Sequence, residues 1–208
     1  MVFDGRGNEY VARVETVGRG RATVRPVERH VPVREPAVDL TLGQAILKGD
    51  KMDRVVRDAV MLGVVAVQPI LSARSEIPRA RVGTRSRTTR WQRIATASVK
   101  QCGRAVVPTV RETIEFRALT AADSNALRLL LVEPSSVTQG RALEELEKDP
   151  RPSSASVLIG PEGGWATEEI EMALRHGFVP VTFGVRTLRA DAAGVAAVAV
   201  LQFIWGDL

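Results

Sequence analysis

The chain has 208 residues, a formal charge of +5 and 45% hydrophobic residues, enough for one sizeable core and too apolar for a disordered chain. One cysteine, Cys102, excludes an intramolecular disulfide framework and fits a reducing compartment. Residues 1–6 lack the apolar core of a secretory signal, and the run Ala192–Leu201 is shorter than the ~18 residues a membrane span needs. A soluble, cytoplasmic protein with no membrane partner is expected.

The distribution of charge is more informative than its sum. Of the 29 basic residues only Lys48, Lys51, Lys100 and Lys148 are lysine; the rest are arginine, whose planar fork suits phosphates and base edges. Between Ser72 and Arg111 ten basic residues face one acid, Glu76, so that stretch carries +9 and the remainder −4. Such concentration is the electrostatic footprint of a polyanion, with nucleic acid as the favoured partner. The residues placed on that surface are Arg74, Arg85, Arg87, Arg90, Arg93, Lys100 and Arg104.

Residues 1–34 read as β structure. Alternation from Tyr10 to Thr16, a turn at Gly18–Gly20 and a return over Ala22–Val27 predict a hairpin, and the prolines of residues 31–36 make a linker. A second, larger unit follows from residue 37 to 208. Val38–Ile46 reads as a strand, Asp50 as the cap of a helix over 51–62, and Val64–Ile70 as a fully buried strand. The Arg-rich segment 79–90 reads as a loop and Trp91–Gln101 as a helix. Leu127–Val132, Ser156–Ile159 and Val179–Phe183 are further strands; Gln139–Leu146, Thr167–His176 and Ala190–Ile204 are helices. This alternation predicts an α/β domain with a parallel sheet covered on both faces. The last helix is apolar almost all round, which calls for burial by its own domain and a partner copy, hence a homodimer.

Three strand ends carry the chemistry. Val157–Glu169 runs from a strand through Gly-Pro-Glu-Gly-Gly into a helix whose first turn holds Glu168 and Glu169. The position resembles a phosphate cradle, but Glu162 sits in the loop and no GK[ST] follows. A polar, non-anionic ligand read by backbone groups fits better, and S-adenosylmethionine has that character. A second loop, Thr182–Ala193, places Arg186, Arg189 and Asp191 within six positions, and Leu131-Val-Glu-Pro134 forms a third strand end. Together they predict a crevice at the carboxyl edge of the sheet. With one cysteine and two separated histidines, no metal site is expected. Trp91 reads as core, and His176 as a complement to a helix C-terminus.

LVEP at 131–134, LIGPEGG at 158–164 and FGVRTLRADAA at 183–193, in this order, resemble the three motifs of the RsmE family, SPOUT-superfamily methyltransferases that modify N3 of a uridine in 16S ribosomal RNA of the small subunit. LKGDKMD, LGVVAVQPILSARS and RWQRIATASVKQCGRAVVP match the same family upstream, as does VFDGRGNEYVARV near the start. The resemblance implies a SPOUT domain over 37–208 with a deep trefoil knot within about 127–208. It also implies a partial, N-terminally truncated PUA-like β domain over 1–34, S-adenosylmethionine held by the knot loops, and a dimer acting on the small subunit. On this basis the cofactor would contact Leu131, Glu133, Pro134, Ile159, Gly160, Pro161, Glu162, Gly163, Phe183, Gly184, Thr187, Leu188 and Arg189.

Methyl transfer to N3 requires an in-line approach and stabilisation of a developing uridine anion. Arg104, Arg186 and Arg189 are the candidate catalytic cations; Asp191 or Glu162 would accept the proton or orient an arginine. Two other readings stand beside this one: ribose 2′-O methylation of transfer RNA by the same fold, and a non-catalytic RNA-binding relative.

Overall fold

The computed structural model describes residues 1–76, 85–134 and 140–208, with the side chain of Arg85 also left aside. Its first sheet is antiparallel, in the order β1 (Val2–Phe3), β2 (Glu9–Gly18), β3 (Arg21–His30). The expected hairpin is there, longer at both ends. Most of its side chains are exposed, and it meets the larger unit where Gly7 N–H donates to the Ala105 carbonyl (3.0 Å) and Val107 N–H to the Gly5 carbonyl (3.0 Å).

The second sheet is parallel throughout its described pairings. Its strands are β4 (Asp39–Ala45), β5 (Ala66–Leu71), β6 (Thr109–Val110), β7 (Ile114–Glu115), β8 (Leu127–Leu131), β9 (Arg141–Ala142), β10 (Ser154–Ile159) and β11 (Val179–Thr182). The order across the sheet is β6-β5-β4-β10-β8-β11-β9, with β7 also on β5. The middle strands β4 and β10 are buried on both faces, polar Thr41, Gln44 and Ser156 included. At Gly43, in β4, a Cβ would run into the Leu158 side chain of β10, so only glycine lets the two central strands pack at this point.

Among the described residues five α-helices cover the sheet: α1 (Lys51–Met61), α2 (Arg85–Cys102), α3 (Phe116–Ala122), α4 (Thr167–Arg175) and α5 (Ala190–Ile204). In α1, Met52, Val55, Val56, Ala59 and Val60 form the predicted buried stripe. Asp50 does precede the helix, but its carboxylate accepts from Arg54 (2.9 Å) and caps no amide. Gly63 ends α1 at φ +92°, a conformation β-carbons disfavour, facing Pro36 and Gln202 where a Cβ would not fit.

Three expectations are corrected. The helix expected from Trp91 begins at Arg85, so Arg87 and Arg90 stand on a helix. The segment lacks apolar periodicity because its first turns are solvent-facing, and burial starts with Thr88 and Trp91. The helix expected over 139–146 is instead β9 followed by a 3₁₀ turn, Leu143–Lys148, whose Leu143 and Leu146 are buried. A spacing of three places both leucines on one side of a 3₁₀ turn, and Pro150 forbids extending it. Residue 139 itself lies outside the described residues. The cap expected at Thr167 is Ala166 instead: α4 starts at Thr167 as expected, and the Ala166 N–H donates to Glu169 Oε2 at 3.0 Å.

Trp91 is core, 4% exposed, its indole N–H donating to Asp53 (3.1 Å). Among the described residues no helix is long and apolar enough to cross a membrane, and no group of three metal-ligating side chains converges.

Candidate functional site

Parallel strands point their carboxyl ends one way, and β10, β8 and β11 are neighbours. The loops that leave them, after Ile159, Leu131 and Thr182, therefore open on one cavity of about 650 Å³. The volume lies in the range for small-molecule sites, ~300–1,000 Å³. Leu131, Glu133 and Pro134 form one wall, Ile159–Gly163 a second, and Phe183, Thr187, Leu188 and Arg189 a third. Arg186 and Asp191 line it as well.

Gly184 stands outside the wall; at φ +62° it makes the turn that leads the third loop back. The floor is held by Trp165, whose indole N–H donates to the Leu131 carbonyl (3.0 Å) and whose ring meets Phe116 at 4.8 Å. Gln44 of β4 supports the second loop by donating to the Gly160 carbonyl (3.4 Å).

Arg104 is not in this wall. Its side chain is 6% exposed; it pairs with Glu35 of the linker and donates to the Val60 (2.6 Å) and Val64 (3.1 Å) carbonyls at the end of α1. Both its catalytic and its RNA-binding assignments are therefore corrected: the guanidinium is used up inside the fold, and burial denies it to a substrate.

The remaining basic candidates separate by place. Arg74 lies on a short strap, residues 72–76, and donates to the Gly163 carbonyl (3.0 Å), so it belongs to the cavity. The strap is tied down by Glu169, which accepts from Ala73 N–H (2.8 Å) while closing the start of α4. Arg87, Arg90, Arg93 and Lys100 ride on α2, Arg90 paired with Asp53. Arg93 and Lys100 line a second, shallower groove of about 480 Å³ with Thr89, Gln92 and Thr96.

The cavity holds opposed charges. Arg189 bonds both oxygens of Asp191 (3.0 and 2.9 Å), and this guanidinium holds the Asp191 carboxyl below its ordinary range against a smaller opposing effect of burial. Burial alone would raise Glu162, but the Lys51 ammonium at 2.6 Å and the backbone N–H groups of Glu162 and Lys48 outweigh it and hold it low. Two ionised carboxylates with depressed values are poor proton acceptors near neutrality; they are suited to orienting cations.

Because each is lower in the fold than in the open chain, each pair stabilises fully above pH about 4 and progressively less as pH falls through the folded values. Asp191→Asn is expected to lose stability less steeply than the parent during acid titration below pH about 4. An identical acid profile would contradict the pairing.

An RNA methyltransferase domain model matches residues 34–202. Curated relatives named ribosomal RNA small subunit methyltransferase E include one from Synechocystis sp., 30% identical over 97% of this chain and 65% of its own length. One from Buchnera aphidicola is 23% identical over 99% of this chain and 79% of its own. The crystal structure of the Neisseria gonorrhoeae protein of that name, bound to S-adenosylmethionine, superposes with a TM-score of 0.84 at 34% identity, covering 99% of this chain and 83% of that one. The chain belongs to the ribosomal RNA small subunit methyltransferase E family. A Legionella pneumophila protein solved with bound S-adenosylmethionine is also similar, with a TM-score of 0.86 at 29% identity over 97% of this chain and 81% of that one.

For a methyltransferase E chain, the residues that sequence reasoning missed include Lys51, Trp165 and Ala193, all in the cavity wall, with Val132, Gly164, Ile170 and Ala190 beside them. Trp165 sits directly after the glycine loop, and that adjacency was a usable signal. Lys51 had only its charge at a helix start: it is 111 positions away from Glu162 and reaches it because β4 and β10 are paired.

Proposed function

We propose that this chain transfers a methyl group from S-adenosylmethionine to N3 of a uridine in 16S ribosomal RNA of the small subunit. Family membership supports ribosomal RNA methylation, and the observation that carries the reading to this chain is the single cavity at three adjacent strand ends. Its donor set suits the cofactor: backbone groups of residues 159–164 and apolar Leu131, Ile159 and Leu188 for an uncharged nucleoside, carboxylates for a sulfonium and ammonium, and arginines for a carboxylate. Leu131, Glu133, Pro134, Ile159–Gly163, Phe183, Thr187, Leu188 and Arg189 are the residues we assign to holding it. Bound S-adenosylmethionine supplies a methyl group on a positively charged sulfur. The protein holds the acceptor in line and excludes water, which can itself supply ~7–11 kcal/mol of barrier lowering. Asp191 fixes the exposed Arg189 guanidinium at the mouth, and Arg186 stands beside it as a second cation.

The test is methyl transfer from labelled cofactor to small subunits, with the product nucleoside identified by mass spectrometry. 3-Methyluridine is expected. A 2′-O-methylated nucleoside would favour the transfer-RNA type of reaction, and absent cofactor binding by calorimetry a non-catalytic relative.

The same reading includes a trefoil knot within about 127–208 and a PUA-like β domain that takes in residues 1–34; the parallel pairing of the larger sheet and the separate antiparallel sheet support it. RNA would approach along α2, where Arg87, Arg93 and Lys100 give salt-sensitive attraction with little base discrimination. A homodimer is supported by the outer stripe of α5: Ala192, Val195, Ala196, Ala199 and Phe203 are apolar and at least partly open to solvent, Phe203 69% exposed. Phe203→Asp is expected to yield monomers by light scattering at micromolar concentration where the parent is a dimer. A dimeric variant would contradict this face.

A further inference from the structure

Resting on the uridine-N3 reading, we propose that Lys51 is a catalytic residue whose ammonium donates a hydrogen bond to a carbonyl oxygen flanking N3 of the target uracil. Among the described residues four basic side chains line the cavity: Lys51, Arg74, Arg186 and Arg189. Arg74 is oriented toward the Gly163 carbonyl by one of its bonds, and Arg189 gives two donors to the two oxygens of Asp191. Arg186 stands exposed in the outer loop. Lys51 is 29% exposed at the side chain, so solvent screens it less than the 74%-exposed Arg189. Of its three N–H donors, one is satisfied by Glu162 Oε1 at 2.6 Å, leaving two for a ligand.

Its backbone is fixed as firmly as the fold allows. Lys51 opens α1, whose next residues, Met52, Val55 and Val56, are buried, and Glu162 is itself held by Lys48 N–H at 3.4 Å. Glu162 belongs to the cofactor loop, so one carboxylate ties the cation to the place where the methyl donor would lie. Lys51 also breaks a helix rule. The first position of a helix favours an anion, because unpaired N–H groups make that end positive. A cation kept where the helix disfavours one is the kind of local conflict that marks a functional position.

The chemistry needs such a donor. N3 loses its proton to bulk solvent before the acceptor is enclosed, and the electron pair left on N3 takes the methyl group as the S–CH₃ pair remains on sulfur. Negative charge spreads from N3 onto the two flanking carbonyl oxygens on the way, and an ammonium placed there lowers the cost of losing the proton. Glu162 bonds Lys51 and Asp191 feels its charge; the other charged groups lining the cavity are Arg186 and Arg189 of the third loop, Glu133 after β8, and Arg74 from the strap. Glu162 and Asp191 are held low and keep their charge through neutrality. A rising limb of the rate between pH 6 and 9 would then report the uracil proton.

The experiment compares single-turnover methyl transfer to small subunits by the parent, Lys51→Met and Lys51→Arg across that pH range. Cofactor and subunit affinities are measured alongside. Lys51→Met is expected to be slower by about 10²–10³-fold, the cost of one oxyanion donor. Its rising limb should move to higher pH while both affinities stay within about twofold, a change of under ~0.5 kcal/mol. Lys51→Arg, which keeps a donor cation, should recover part of the rate and return the limb toward the parent's. A parent that forms 3-methyluridine together with an unimpaired Lys51→Met overturns this role alone. So does a slow Lys51→Met whose limb is unmoved or whose affinities fall in proportion to the rate. A parent product methylated elsewhere than N3 overturns the underlying reading, and the role of Lys51 with it.

Discussion

Arg104→Met is expected to destabilise the fold by about 3 kcal/mol, the lower end for breaking a buried ion pair, and to lower Tm by roughly 6–12 °C for a domain of this size. The guanidinium donates to the Val60 and Val64 carbonyls and pairs with Glu35. Removing it takes a donor from the Val64 carbonyl, leaves Val60 with only the Gly63 N–H (3.2 Å) among the described residues, and strands a carboxylate between the linker, α1 and the turn after α2. Glu35 is 28% exposed and regains some water, which is why the lower end applies. Cofactor affinity at 25 °C should be that of the parent, because Arg104 lies outside the cavity wall. Thermal melts with calorimetric titration decide it. A variant that melts normally but transfers no methyl group would restore Arg104 to the chemistry.

Glu169→Ala should have the second largest effect, and on two readouts at once. Its carboxylate, 7% exposed, accepts from Ala73 N–H at 2.8 Å and Ala166 N–H at 3.0 Å. Hydrogen bonds to a charged acceptor contribute about 1.5–3 kcal/mol each, so losing both costs about 3 kcal/mol at the lower end. The strap would then carry Arg74 away from Gly163, so the cavity wall loosens and cofactor affinity falls by about tenfold, ~1.4 kcal/mol. Glu169→Gln keeps one acceptor oxygen and should lie between. If melting falls while cofactor affinity is untouched, the strap does not shape the site.

The parallel sheet was legible because its strands are buried on both faces. Val64–Ile70 and Ser156–Ile159 carry only Gln68 and Ser156 as polar side chains, too few to make an alternating face. Helix α5 was readable to the residue, since between Arg189 and Trp205 only Asp191 and Gln202 interrupt apolar and small residues. The cavity was legible as three strand ends. Their convergence then followed from parallel pairing, but the order β10-β8-β11 did not follow from chain order. What stayed hidden was decided at a distance. Arg104 reads like any arginine of a basic run, and only the arrival of Glu35 and two carbonyls from α1 buries it. Lys51 shows only a cation at a helix start until β10 brings Glu162 alongside. Helix α3 is seven residues long and carries two buried apolar side chains, Phe116 and Leu119, too short a period to announce itself.

The placement of β4 in the middle of the sheet has a consequence for how the chain is made. Its partner on one side, β5, follows within some twenty residues, but its other partner, β10, begins about 110 residues later. At ~5–20 residues per second, one edge of β4, with Leu40 and Leu42 beside it, leaves the ribosome on the order of ten seconds before the strand that will cover it exists. During that interval its unpaired amides form an open template for any extended segment nearby. The pace of synthesis between residues 46 and 154 therefore sets the time in which nascent copies can associate wrongly. Slowing translation within that window should cost yield, and slowing it after residue 160 should not.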